Sequence, residues 1–125
     1  MTAAPSLTLR TLVLDCRDAH EMARFYSRLL GWQITYDEPD WVLMRNPDGG
    51  TGLSFQAEEA YVRPVWPEQP GDQQKMLHLD ILVEDLDAAV AHALAAGGTM
   101  AAYQPREDLR ILLDPAGHPF CLFTD

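Results

Sequence analysis

Leu12-Val13-Leu14-Asp15-Cys16-Arg17-Asp18 and Leu79-Asp80-Ile81-Leu82-Val83-Glu84-Asp85 carry one pattern twice. They stand 67 positions apart, and each is an apolar, strand-like run that closes on an aspartate. Each is followed by a helical pattern, and the two patterns stop at Leu30-Gly31 and Gly97-Gly98. Asn46-Pro47-Asp48-Gly49 and Asp114-Pro115-Ala116-Gly117 then recur 68 positions apart. Landmarks in one order at a near-constant offset mark an internal repeat. Each copy reads strand–helix–strand–strand–strand. The expected architecture is α+β, two βαβββ modules in a single domain over 1–125. Module one covers about 7–56, a linker about 57–75 and module two about 76–125.

The helices carry physical start and stop signals. Asp18 can accept the first free amides of a helix, with Glu21 three positions on to complete a capping box. Met22, Phe25, Tyr26, Leu29 and Leu30 follow at helical spacing. Gly31 ends the run, since glycine accepts the left-handed conformation of a helix end. Asp85 caps the second pattern, whose apolar face is Leu86, Ala89, Val90, Ala93 and Leu94. Strands are expected at Gln33–Tyr36, Trp41–Arg45 and Leu53–Gln56, and again at Thr99–Tyr103, Leu109–Leu113 and Phe120–Phe123. The linker holds Pro64, Pro67, Pro70 and Gly71, so it reads as irregular chain. It is long enough to cross a cavity mouth.

Composition narrows the class. The chain has 125 residues, enough to bury roughly two thirds of its unfolded surface. Nine Lys and Arg against nineteen Asp and Glu leave a net charge of −10. Such a surface repels phosphate backbones and anionic lipid heads, which argues against nucleic acid and membrane surfaces as partners. No apolar run approaches the ~20 residues that span a bilayer. Cys16 and Cys121 make no disulfide framework. Residues Met1 to Leu9 lack the pattern of a signal peptide, so a cytoplasmic location with reduced thiols is expected. No phosphate-cradling glycine loop, GxSxG elbow or Cys-x-x-Cys pattern occurs.

The two modules resemble the vicinal oxygen chelate superfamily, which holds glyoxalase I, bleomycin-resistance proteins, extradiol dioxygenases and fosfomycin-modifying enzymes. The likeness is carried by Asp18 to Trp32, by His78-Leu79-Asp80 with Val83 to Leu86, and by Asp114 to Phe120. More narrowly, Asp37 to Val42 (with an inserted Glu38), Phe55-Gln56, Trp66-Pro67, His78 to Asp80 and Asp114 to Leu122 are similar to an actinobacterial glyoxalase-like group. The resemblance implies curved four-stranded mixed sheets around a cavity, with the helices on the outside. Strand alternation would then place Leu12, Leu14 and Cys16 under the first helix, and Leu77, Leu79, Ile81 and Val83 under the second. Thr11, Val13 and Asp15, and Met76, His78, Asp80 and Leu82, would face the cavity.

Metal-dependent members place His, Glu or Gln ligands at four cavity-facing positions, two in each module. Carried onto this chain, those positions fall on Thr11, on Leu53 or Ser54, on His78 and on Cys121. A neutral hydroxyl is a poor ligand for a divalent transition metal. The expectation is therefore no cofactor; a divalent metal, if bound, would sit on His78 with Cys121 or Gln56, with Asp80 or Asp15 adding a carboxylate.

His78 and Asp80 share one strand face and could act as a general base with its orienting carboxylate. Cys121 has no evident cation to activate it and reads as a small buried residue or a pocket wall. Asp15 could meet a ligand amine or hydroxyl. Trp41, Phe55, Tyr61 and Trp66 are aromatic candidates for a wall around a planar apolar ligand. Thr11 completes the candidate ligand-binding set. His118 reads as part of a turn, while His20 and His92 read as exposed helix residues. Two functions follow. One is a metal-free module that binds a small aromatic or apolar metabolite between the modules. The other is a glyoxalase-like lyase or isomerase using His78 and Asp80 for proton transfer, with or without a metal. A dioxygenase is less well supported, since its iron needs two histidines and a carboxylate. The superfamily likeness also implies a homodimer.

Overall fold

The computed structural model describes residues 5–125. In chain order the elements are β1 (Thr11–Cys16), α1 (Ala19–Leu30), β2 (Ile34–Glu38), β3 (Trp41–Met44) and β4 (Gly52–Ala57), then β5 (Leu79–Leu82), α2 (Leu86–Ala96), β6 (Thr99–Met100), β7 (Leu109–Leu113) and β8 (Pro119–Phe123). The strands form two four-stranded sheets, ordered β1-β4-β3-β2 and β5-β8-β7-β6. In each, the first and last strands of the module pair in parallel at the sheet edge, and the remaining pairs are antiparallel. The repeat read from the sequence is therefore a repeat of topology.

The helix boundaries follow the side-chain chemistry. Asp18 Oδ1 accepts the amides of His20 and Glu21, and Asp85 Oδ1 accepts that of Ala88. The cap of α1 is carried by the aspartate alone. Gly31 and Gly97 end the helices at φ 73° and 119°, where a side chain would be strained. Each helix also satisfies a carbonyl at the end of the other: Arg28 donates to Ala96 O at 3.0 Å, and His92 lies 3.1 Å from Leu29 O.

One core runs through both modules. Leu14 and Cys16 turn under α1 together with Val42, Met44 and Phe55. Tyr26 stacks on Phe55 at 5.5 Å, while Phe25 reaches Phe120 of the second sheet at 5.8 Å. The Tyr26 hydroxyl donates to Asp114 Oδ2 at 2.7 Å, which ties α1 to the turn before β8. Asp114 Oδ1 accepts the amides of Ala116 and His118 as well. Phe and Tyr each contribute about 1.5–3 kcal/mol on full burial. The α1 aromatics thus hold the modules together as well as filling the first.

Three expectations change. Phe55 belongs to this core and does not line an open face, because its register partners Leu14 and Val42 also point under the helix. Strand β5 begins at Leu79, so Leu77 precedes the ladder and is exposed instead of sitting under α2. Strand β6 is short, ending at Met100. Among the described residues no helix is long and apolar enough to cross a membrane.

Candidate functional site

The parallel edge pairs set the two open faces. Val13 pairs with Ser54 in the first sheet, and Asp80 pairs with Cys121 in the second. Each residue of the second pair lies 67 positions after its counterpart. Register therefore makes Ser54 the counterpart of Cys121 and turns Leu53 into the core. Thr11 is the counterpart of His78.

The second face gathers chemistry that the first lacks. His78 Nε2 lies 3.1 Å from Asp80 Oδ1. One ligand atom each from His78, Asp80 and Cys121 lies within 4.8 Å of the others. Cys121 is buried, and its thiol is pushed up to about 11 by that burial, with the Asp80 carboxylate adding to it. A thiol so protonated is no nucleophile at neutral pH. On the first face Ser54 is fully buried, and its Oγ has no partner among the described residues. Thr11 is half-buried opposite Gly52, and Trp41 stands opposite Gln56 on the same sheet. Gln56, expected as a second partner for His78, is thus a neighbour of Asp15 and Trp41 in the first sheet, and Asp80 takes the place beside His78.

The linker completes the second face. The Trp66 indole stacks on the His78 ring, centroids 5.0 Å apart and planes 22° from parallel. Tyr103 meets Trp66 edge-on at 5.8 Å, and the Lys75 ammonium sits 4.1 Å over the indole. Trp66 was legible in the sequence as an aromatic without a core position. Its partner was not, because nothing in spacing sets the path of an irregular linker.

The remaining candidates collect elsewhere. A cleft of about 420 Å³ opens between β1, the linker and the approach to β5, lined by Val13, Asp15, Tyr61, Met76, Leu77 and His118 among others. His118 Nε2 lies 2.6 Å from Asp15 O, so its N–H donates to that carbonyl. The Tyr61 hydroxyl donates to Ala116 O at 2.7 Å. Burial raises Tyr61, with Asp114 adding to it. Burial also raises Asp114, against the opposing effects of His118 and of its hydrogen bond from Tyr26. The single cavity expected to hold every candidate is therefore divided. Asp15 and Tyr61 border the inter-module cleft, while His78, Asp80, Cys121 and Trp66 cluster on the second sheet.

A family model described as glyoxalase-like domain matches residues 11–123. The chain belongs to the glyoxalase-like domain family. Among solved structures, this glyoxalase-like chain is similar to a glyoxalase/bleomycin resistance protein/dioxygenase family enzyme from Burkholderia phytofirmans PsJN, at 24% identity and TM-score 0.69, over 94% of this chain and 98% of that one. It is similar to a glyoxalase-related enzyme from Fulvimarina pelagi at 19% identity and TM-score 0.68, over 94% and 88% of the two chains. It is also similar to TnmS3, an antibiotic binding protein from Streptomyces sp. CB03234, at 19% identity and TM-score 0.61, over 98% of each. At these identities the likeness is one of fold. The comparison with curated proteins found no match.

Whether a metal suits this glyoxalase-like fold can be judged from the donors present. The first module offers Thr11 and the buried, neutral Ser54, which do not fit a divalent ion. The second offers imidazole, carboxylate and thiol within reach of one point. Nitrogen, oxygen and sulfur donors in threes fit an open zinc-type site.

Proposed function

We propose that this glyoxalase-like protein binds a small apolar or aromatic metabolite in the inter-module cleft. The observation that carries the reading is the cleft of about 420 Å³, which falls within the ~300–1,000 Å³ of small-molecule sites. Val13, Met76 and Leu77 supply apolar walls and Tyr61 an aromatic one, while the carboxylate of Asp15 supplies a polar end. No transition metal enters this reading. Exposed Ile34, Tyr36 and Leu82, which lie outside the cleft, support a homodimer in which copies cover these apolar residues. The two free, buried thiols accord with a cytoplasmic location. The test is a thermal-shift screen of planar aromatic metabolites, with hits recovered and weighed by mass spectrometry. Bound ligands recovered intact, and weakened by Tyr61→Ala, support binding without turnover. A hit recovered chemically altered would replace this reading with an enzymatic one.

A second reading has its own observation, the convergence of His78, Asp80 and Cys121. These residues would hold a divalent metal, which supplies Lewis-acid polarisation of a bound carbonyl or hydroxyl when present. Without a metal, His78 would itself exchange protons with the substrate, oriented by Asp80 at 3.1 Å, in a lyase or isomerase reaction. Loss of turnover in His78→Ala with the fold retained would support it, and unchanged turnover would remove it.

A further inference from the structure

Of the three groups that converge on the second face, two are held by the sheet. Cys121 sits in β8, paired with Asp80 on one side and Ile111 on the other, and is buried. Asp80 lies inside the β5 ladder. His78 is different. It stands one residue before β5 begins, so no strand pairing fixes its backbone. The chain reaches it through a tight turn in which the Leu77 amide donates to Lys75 O at 2.7 Å, with Met76 at φ 64°. That conformation is unfavourable for a residue with a side chain and must be held by its surroundings. The His78 side chain is 31% exposed, and an imidazole so placed has rotamers to lose.

Asp80 meets one edge of the ring at 3.1 Å, and the linker holds its face. Trp66 lies against the imidazole plane, Tyr103 braces the indole edge-on, and Lys75 sits over the same indole. The backbone on either side is joined by the Val65–Gln74 bridge and by the Val65 amide donating to Gln73 O at 2.8 Å. These contacts fix Trp66 and the approach to His78 as one unit. We propose that Trp66 is a positioning residue for His78, setting its rotamer so that imidazole, carboxylate and thiol meet at one point. The linker, which lies outside both copies of the repeat, thereby decides that the second face forms a three-donor site. This rests on the metal-assisted reading for its use but not for its geometry.

The experiment uses the full chain, cobalt(II) alone as the probe, and nuclear magnetic resonance of the metal-free protein. Trp66→Phe keeps a flat ring, while Trp66→Leu keeps bulk without one and guards against a collapsed Trp66→Ala. Wild type and Trp66→Phe are expected to bind cobalt within about threefold of each other, with a thiolate charge-transfer band from Cys121. Trp66→Leu is expected to bind about tenfold more weakly, the size of a strong aromatic pair, with the same band at saturation. In the metal-free protein, His78 side-chain couplings should report one rotamer in wild type and averaging in Trp66→Leu, and the ring protons should lose their indole-induced upfield shift. Equal cobalt affinity, or an unchanged His78 rotamer in a folded Trp66→Leu, overturns the proposal. If wild type binds no cobalt, the metal-assisted reading fails by itself, and the His78 rotamer alone decides the role of Trp66.

Discussion

The two open faces are built on the same backbone and carry different chemistry. Thr11, Val13 and Ser54 stand on the first sheet, and their counterparts are Asp80 and Cys121 on the second and His78 just before it. One set is a half-buried hydroxyl, an apolar side chain and an orphaned hydroxyl. The other is a nitrogen, an oxygen and a sulfur donor within 4.8 Å of one another. A shared topology therefore fixes where side chains can meet, and says nothing about whether they can act together. The helices differ in a parallel way. α1 buries Phe25 and Tyr26 and reaches both sheets, whereas the buried residues of α2 are Ala93 and Ala96. The first module supplies the structural centre, and the second keeps the polar site.

The turns of the two modules should differ most in what they contribute to stability. Asp114 and Asn46 are counterparts, but the Asp114 carboxylate is buried and accepts Tyr26 and two backbone amides, while the Asn46 side chain, near the surface, accepts the Asp48 amide at 2.9 Å and donates to Thr51 O at a long 3.5 Å. Removing an acceptor and leaving several buried donors unpaired costs about 3 kcal/mol or more, against about 1 kcal/mol for one exposed turn bond. Chemical denaturation of Asp114→Ala and Asn46→Ala should show that gap, and equal losses would mean that the tie between modules carries little.

The faces themselves come next. His78→Ala should weaken cobalt(II) binding by about a hundredfold, since a metal site that drops from three protein donors to two falls below the usual zinc set. Thr11→Ala should leave it unchanged. Titration followed by the thiolate charge-transfer band checks both. Loss of binding in Thr11→Ala would mean that the two faces act as one site.

Alkaline pH probes the thiols. Cys121 and Cys16 are pushed up to about 11 and about 12 by burial, from an ordinary 9.0. The unfolded chain releases these protons first, so their stabilising effect is complete below about pH 9 and declines as pH rises from there. Buried Tyr26 and half-buried Tyr61, raised in the same direction, extend the decline at higher pH. Urea midpoints measured from pH 7 to pH 11 should fall, and Cys121→Ser should lessen the fall.

A smaller change is expected within the second face alone. Asp80→Asn removes the carboxylate that assists burial in raising Cys121, so the thiol should titrate somewhat below 11. Ultraviolet thiolate absorption in a Cys16→Ala background would read the shift. No movement would leave burial as the whole cause.

The sequence alone carried the repeat, the helices and the faces of β1 and of β5 from Leu79 on. Those features rest on local rules: aspartate caps, left-handed glycines, and alternation with a period of two. The resemblance pointed to His78 and Cys121, and the repeat arithmetic left Leu53 and Ser54 open. Only the parallel register of β1 with β4 decided for Ser54, because pairing is set between strands and not within them. Phe55 was misplaced for the same reason, since its side of the sheet follows from its pairing with Leu14 and Val42. Trp66 was visible as an aromatic that the core did not explain, but its stack on His78 depends on the course of a linker without periodicity. The separation of the inter-module cleft from the second-face cluster likewise belongs to the tertiary structure. It follows from how α1 packs one module against the other, through contacts such as Phe25 with Phe120 that no local pattern encodes.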